Sequence, residues 1–389
     1  MKNNKTKKIL MYTNDKIYTT VRMTGGIRRF KMLYEGLIND GYDVTLYCGE
    51  TKETLSEYNK KAYSVQRDDK KTKLFAGIGI FLKNKKLIKN LKKENYDEII
   101  VFDVPTAIGL CLNKMNNINL FMRQDLVEYR KVMLEEKKKN KLYKLLYLKI
   151  MNYCEYICCK RSKRIIVQCQ YDLNNLINRH KKIGNIIKNK SNVQINNVDA
   201  KWIVDKSKNK IEHAISKEKF NICFIGDFSS NRKGHDIFLS AVDKLMKDKL
   251  NVRAYLIGDG LKLDEVKKQY SKNNDIVFLG RMNNPIDIIK QSNLVVVPSR
   301  ADSCPNTVLE SLYNNVLVIG SNAGGIPEIL NDNDALFELN EDSLYNKICN
   351  LYNNNDNLNN LKNNQNKRRE ELCFDWVKKI EKILMGENK

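Results

Sequence analysis

Short apolar runs alternate with amphipathic stretches along most of the chain. The first run, 7–13, predicts a buried strand, and apolar side chains at helical spacing follow a Gly-Gly turn from Ile27 to about Asn39. Gly41 ends that helix, and a second apolar run begins directly after it. A strand, a turn, a helix and another strand are typical of the beginning of a parallel α/β sheet.

The same alternation continues and then restarts after a polar segment. Further strands are predicted at 97–102, 118–123 and 164–169, and the series begins again near residue 220. We therefore predict an α/β fold with two doubly wound, Rossmann-like domains, at 1–192 and 193–372, that face each other across a cleft. Ligands bind in such folds where strand-to-helix turns present free backbone N–H groups.

Positive charge is concentrated in one half of the chain. The chain carries 69 Lys and Arg against 46 Asp and Glu, a net charge of +23. Residues 1–200 hold 41 basic and 20 acidic side chains, a net of +21, whereas 201–389 are nearly balanced at +2. The first half is therefore expected to meet something anionic, such as nucleic acid, an anionic membrane or a phosphorylated substrate. A Lys- and Asn-rich genome is the alternative, but it does not explain the balanced second half.

One segment, 298–310 (PSRADSCPNTVLE), has the strongest chemical signal. A predicted strand ends, a loop follows and a helix begins, with Asp302 and Glu310 eight positions apart. Both carboxylates can accept hydrogen bonds from the vicinal hydroxyls of one ligand. The N–H groups of Asn306 to Val308 are suited to a phosphate. The alternative is helix capping by Asn306 with an ordinary surface Glu310.

This segment resembles the Glu-x7-Glu signature of family 4 of the retaining GT-B glycosyltransferases. Other family segments have counterparts in the same order along the chain. They are TGGIRRF (24–30), INNVD (195–199), FIGDFSSNRKGHD (224–236), SNAGGIPEIL (321–330) and a Trp-containing last helix (373–389). The resemblance implies that this last helix packs back on the first domain.

The resemblance also implies a nucleotide-sugar donor site in the second domain. Lys233, with Arg232 beside it, is expected to neutralise the donor diphosphate. Glu310 is expected to bind the ribose hydroxyls and Asp302 the sugar hydroxyls. Gly26 is expected to let the loop of the first domain approach the phosphates. The remaining expected donor-binding residues are Arg281, Met282, Ser303, Asn306, Thr307 and Val308.

The chain departs from the family pattern at three places. Asp302 stands where Glu is commonest, and Asp227 stands where the family has an Arg. RQDLVEYR resembles a His-Asp segment with Gln124 in place of His, so Asp125 is the acceptor-side candidate, with helix capping as an equal alternative. The resemblance implies retention of configuration, and in a front-face transfer the leaving phosphate can itself take the acceptor proton.

Several alternatives stay open at this point. The main expectation is a glycosyltransferase that acts on a glycan or lipid-linked acceptor in envelope polysaccharide or glycolipid synthesis. An epimerase with the same nucleotide site is a second candidate. A basic nucleic-acid-binding protein is a third, although its usual signatures are missing. We expect no cofactor, no metal and no nucleic acid. A helical stretch at 135–163 has an apolar stripe flanked by lysines, which suggests an anionic membrane surface or packing on the first domain. Without a signal peptide or membrane-spanning stretch, we expect a cytoplasmic or peripheral location.

Overall fold

The computed structural model describes residues 7–19, 24–58, 61–67, 76–135, 140–207 and 215–387. The chain divides into two compact units. The first comprises Met1–Gln194 and Asp375–Lys389, and the second comprises Ile195–Phe374.

The first unit is built on a parallel sheet. Among its described residues the strands are β1 (Lys8–Tyr12), β2 (Asp43–Cys48), β3 (Ala62–Ser64), β4 (Glu98–Phe102), β5 (Ile118–Met122), β6 (Arg164–Val167) and β7 (Ser191–Val193). Their order is β3-β2-β1-β4-β5-β6-β7. Every residue of β4 and β5 is buried, as expected for strands covered by helices on both faces.

Helices connect these strands. They are α1 (Gly25–Asn39), α2 (Lys52–Tyr58), α3 (Ala76–Leu91), α4 (Val104–Leu112), α5 (Leu126–Glu135), α6 (Lys141–Arg161), α7 (Gln170–Arg179) and α8 (Gly184–Lys190). Helix α4 packs against both α3 and α6. The predicted single helical run at 135–163 spans the end of α5 and all of α6, and residues 136–139 between them lie outside the described residues.

The second unit has its own parallel sheet. Its described strands are β8 (Phe220–Ile225), β9 (Val252–Ile257), β10 (Ile276–Gly280), β11 (Leu294–Val297), β12 (Leu317–Ser321) and β13 (Leu336–Phe337), in the order β10-β9-β8-β11-β12-β13. The helices are α9 (Ala200–Ser207), α10 (His235–Lys247), α11 (Leu263–Gln269), α12 (Ile286–Gln291), α13 (Asn306–Tyr313), α14 (Ile326–Leu330), α15 (Glu341–Asn353) and α16 (Asn355–Leu372).

The last helix, α17 (Trp376–Met385), packs on α1 in the first unit. The guanidinium of the buried Arg29 lies 5.5 Å from the centre of the Trp376 ring, a cation–π contact. The hydroxyl of Tyr42 donates to Glu381 at 2.7 Å. An apolar face and polar anchors therefore hold the end of the chain on the first unit.

Two polar segments of the second unit form helices. Helix α9 forms within a stretch in which the sequence shows little apolar periodicity, because Ile203 is buried in the core of the second unit. Helix α16 forms across the Asn-rich segment, where Leu361, Gln365 and Leu372 are buried. Among the described residues, every helix is too short or too polar to cross a membrane.

Candidate functional site

The sheet of the second unit has a switch point between β8 and β11. These strands are neighbours, but β8 leads to β9 on one side and β11 leads to β12 on the other. The two outgoing loops therefore separate and leave a crevice at the carboxyl ends of the strands. The loop after β8 carries Lys233, and the loop after β11 carries Asp302.

The side chains of Lys233 and Asp302 meet at this switch point. Lys233 Nζ donates to Asp302 Oδ2 in a direct ion pair. Burial lowers the pKa of Lys233 below its ordinary value, and the nearby Asp302 opposes that shift. Burial alone would raise the pKa of Asp302, but Lys233 and Arg232 together hold it below its usual range. The carboxylate is therefore ionised at neutral pH.

Two arginines fix the loops around this pair. Arg232 Nη1 lies 3.7 Å from Asp302 Oδ2 and donates to the carbonyl of Ala301 at 3.1 Å. Arg300 binds Asp236 through two nitrogens, at 2.8 and 2.7 Å. Arg300 thereby ties the loop after β11 to the start of α10. Arg300 was not among the predicted site residues, because its only signal in the sequence is a basic residue directly after a predicted strand.

Two glycines allow the loops to approach each other. Gly234 has a φ of 75°, and a Cβ there would overlap the carbonyl oxygen of Pro298. Gly324 has a φ of 59°, and a Cβ there would overlap the carbonyl oxygen of Asp302, which also accepts from Gly325 N–H at 2.9 Å. A side chain at either position would push backbone away from the Lys233–Asp302 pair.

Helix α13 begins beside the pair with an open N-terminus. No side chain caps it, and the Oδ1 atom of Asn306 is buried without a hydrogen-bond partner among the described residues. Glu310 is only 7% exposed and lies one turn into the helix. Ser303 is buried in the preceding loop, while Thr307 and Val308 form the first turn.

The remaining expected donor residues lie at the same edge of the sheet. Arg281 and Met282 follow β10 directly, so they stand at the carboxyl end of the outermost strand on this side. Asp227 is exposed, and its carboxylate accepts from Ser229 N–H at 2.6 Å. Asp227 therefore shapes the turn after β8.

The first unit has a second polar cluster at its own switch point, between β1 and β4. Asp15 follows β1, Asp103 follows β4 and Arg123 follows β5. The guanidinium of Arg123 pairs with Asp103 and lies 3.8 Å from Asp15. Asp103 has φ 67° and ψ 152°, a conformation that is essentially restricted to glycine. Strain of this kind concentrates at functional sites. In the sequence, Asp103 directly follows one predicted strand and Arg123 ends another, and neither was assigned a role.

Gly26 lies under this cluster at the beginning of α1. A Cβ on Gly26 would overlap the guanidinium of Arg123, so the room left by the glycine is filled by that side chain. Thr24 caps the helix by accepting from Ile27 N–H at 3.3 Å. Gly26 thus leaves room for the Arg123 side chain in this structure, a role that was not predicted from the sequence.

Asp125 is held inside the first unit. Its Oδ1 accepts from the N–H groups of Val127 and Glu128, which caps α5, and its Oδ2 pairs with Arg179. Arg179 also binds the buried Glu155 at 2.8 Å. The capping alternative thus describes its contacts here, and an acceptor role for Asp125 stays a prediction.

A family model described as glycosyl transferases group 1 matches residues 219–354. The match lies entirely within the second unit. The matched range contains both loops of the switch point, all of α13 and every donor-side candidate of the second unit. The retaining mechanism and the assignment to family 4 go beyond this match.

Curated relatives share parts of the chain. It is 25% identical over 311 residues to an uncharacterized glycosyltransferase of Methanocaldococcus jannaschii, covering 76% of this chain and 70% of that one. It is 23% identical over 251 residues to the capsular polysaccharide biosynthesis glycosyltransferase CapH of Staphylococcus aureus, covering 61% and 62%. The chain is 28% identical over 188 residues to a 41.2 kDa protein from the cps region of Klebsiella pneumoniae. That match covers 47% of this chain and about half (49%) of the relative.

Solved structures match along the whole chain. Sucrose-phosphate synthase from Thermosynechococcus elongatus aligns with a TM-score of 0.74 and 15% identity, over 98% of both chains. Anabaena HepE in complex with UDP-glucose aligns with a TM-score of 0.67 and 14% identity, over 98% of this chain and 99% of that one. At such identities the likeness concerns the fold, and the predicted GT-B fold is confirmed.

Proposed function

We propose that this protein is a retaining glycosyltransferase that moves a sugar from a nucleotide-sugar donor to a glycan or lipid-linked acceptor in polysaccharide or glycolipid synthesis. One observation carries the proposal. At the switch point of the second unit, a half-buried lysine and carboxylate lie beside an uncapped helix N-terminus and a buried glutamate. That arrangement matches the charge and hydroxyl pattern of a nucleotide diphosphate sugar.

Each group has a distinct task in this proposal. Lys233 and the N-terminus of α13 stabilise the negative charge of the diphosphate. Glu310 accepts hydrogen bonds from the ribose hydroxyls, and Asp302 accepts them from the transferred sugar. Lys233 exchanges its contact with Asp302 for the donor phosphate. Arg232 stays beside the freed carboxylate and favours its ionised form.

The transfer breaks the bond between the anomeric carbon and the oxygen of the distal phosphate. A bond forms on the same face between that carbon and the acceptor oxygen, and the departing phosphate takes the acceptor proton. The products are the glycosylated acceptor and a nucleoside diphosphate. Because charge develops on the departing phosphate, the placement of Lys233 supplies most of what the protein contributes to this step. We propose that the reaction requires no metal and no cofactor.

The comparisons support the polysaccharide context. The Staphylococcus relative is named for capsular polysaccharide biosynthesis, and the Klebsiella relative for a cps region. HepE was solved with UDP-glucose, which is a nucleotide sugar. These properties belong to the relatives, and they motivate the choice of donors for a first test.

A panel of UDP-, GDP- and ADP-sugars, read by nucleotide release with and without chelator, tests the proposal. Mass spectrometry of the product follows. Glu310→Gln and Lys233→Ala should each lower turnover about 10- to 100-fold, because each removes a hydrogen bond to a charged group. Glu265→Gln and Lys268→Ala, both exposed on α11, are matched controls and should leave it unchanged.

Two outcomes contradict the proposal. Unchanged turnover in folded Glu310→Gln and Lys233→Ala variants would remove the site assignment. Isomerised donor formed without any acceptor would indicate an epimerase instead.

A further inference from the structure

The amino-terminal half of α6 exposes three leucines on one face. Leu142 is 69% exposed, Leu145 is 51% exposed and Leu146 is 48% exposed. Their spacing of three and four residues places them together on the helix surface. We call this surface the α6 stripe. In contrast, the buried residues of α6 all belong to its second half, from Met151 to Cys159.

The length of α6 explains this exposure. The helix has 21 residues and is about 31 Å long, whereas β6 has four residues and spans about 13 Å. Strands β5 and β6 are parallel, so α6 returns the chain to the amino edge of the sheet and ends two residues before β6 begins. Its first turns therefore extend to or beyond the carboxyl edge. Asp103 and Arg123 lie at that same edge.

The helix layer around the stripe is strongly cationic. The described residues of α3, α4, α5 and α6 carry eleven Lys and Arg side chains against three carboxylates, namely Glu128, Glu135 and Glu155. Glu155 is buried and bound by Arg179 and His180, so it contributes no negative charge to the surface. Four of the lysines lie on α3, and all four are exposed. Three others flank the α6 stripe, namely Lys141, Lys144 and Lys149.

We infer that the α6 stripe docks the first unit on an anionic lipid bilayer. Aliphatic side chains beside lysines fit the boundary between acyl chains and headgroups, because the leucines enter the apolar layer while the ammonium groups stay with phosphate. The phosphates of a nucleic acid would pair with the lysines, but its bases stack on aromatic side chains and would leave the leucines without a partner. Docking there brings the edge with Asp103 and Arg123 to the lipid surface, where a lipid-linked acceptor would arrive.

Sedimentation of the full chain with sucrose-loaded vesicles tests this inference. Binding to phosphatidylglycerol/phosphatidylcholine vesicles should exceed binding to pure phosphatidylcholine and should fall as salt rises. The triple variant L142S/L145S/L146S should bind at least tenfold more weakly at every salt concentration. The variant K141Q/K144Q/K149Q should lose most of the preference for the anionic lipid. Leu261→Ser is the matched control, since Leu261 is 93% exposed in the second unit and should not affect binding.

Three results would overturn the inference. The first is that the wild-type chain does not bind vesicles at low salt. The second is that the folded leucine variant binds vesicles as well as the wild type. The third is that the wild-type chain forms a dimer and does not bind vesicles, whereas the leucine variant is a monomer. The last result would make a second copy of the chain the occupant. Vesicle binding does not require a sugar donor, so its failure leaves the proposed transferase activity standing. Conversely, turnover of a water-soluble substrate should be the same in the leucine variant.

Discussion

Lys233 and Asp302 lie 69 positions apart in the chain, yet their side chains form a direct ion pair at the switch point of the second sheet. The resemblance assigned them to different parts of the donor, the diphosphate and the sugar. The pairing shows how both charges are kept in place when the two loops face each other. It also couples their titration, because each group shifts the pKa of the other against the effect of burial.

This coupling predicts an effect on the pH dependence of nucleotide binding. Lys233 must be protonated to attract a diphosphate, so affinity for UDP should fall as pH rises through its pKa. Asp302 opposes the lowering caused by burial. Asp302→Asn should therefore move the alkaline limb to lower pH, and Lys233→Arg should move it to higher pH. Calorimetric titration with UDP between pH 6 and 10 measures this alkaline decrease in affinity. GDP and ADP are the alternatives if UDP does not bind. A limb at the same pH in wild type and Asp302→Asn would contradict the coupling.

Gly234 and Gly280 are a matched pair of substitution sites that test the close approach of the loops. Both have positive φ, but a Cβ on Gly280 meets nothing within 4 Å, whereas one on Gly234 overlaps the backbone of Pro298. Gly280→Ala should cost about 1–2 kcal/mol, the penalty of the left-handed conformation alone. Gly234→Ala should cost clearly more and also weaken nucleotide binding. Urea unfolding of both variants measures the difference, and equal losses would show that Pro298 can yield.

Gly26 and Arg123 should be energetically coupled. Gly26→Ala forces the Arg123 guanidinium away from Asp103, so the substitution should lower the free energy of unfolding in the wild-type background. In an Arg123→Ala background it should cost nothing, because alanine favours the helix over glycine by about 0.5–1 kcal/mol. The cycle should give a coupling of about 1–3 kcal/mol. Additive losses would mean that Gly26 serves another purpose.

Arg179 should be important for the stability of the first unit. It binds both Asp125 and Glu155, and each of these carboxylates is buried. Arg179→Met should reduce the free energy of unfolding by about 3–5 kcal/mol at neutral pH, since it leaves buried charge without its partner. Arg161→Met, exposed at the end of α6, is the control. Equal midpoints for the two variants would contradict this role.

The sequence by itself determined the fold class and much of the donor side. Apolar runs separated by amphipathic stretches are sufficient to predict parallel α/β sheets, because each strand must be buried on both faces. The segment containing Asp302 and Glu310 was local enough to be recognised as a strand, a loop and a helix start. Its partner Lys233 followed from a second local motif.

Only the tertiary structure decided which groups meet. Lys233 pairs with Asp302, and Arg123 fills the space above Gly26, because strand order brings distant loops to one edge. Asp125 illustrates the same dependence, since its partner Arg179 is 54 positions away. The exposure of Leu142, Leu145 and Leu146 also came from tertiary geometry. Helical spacing predicts an apolar stripe, but only the length of α6 relative to its sheet shows that the stripe is left uncovered.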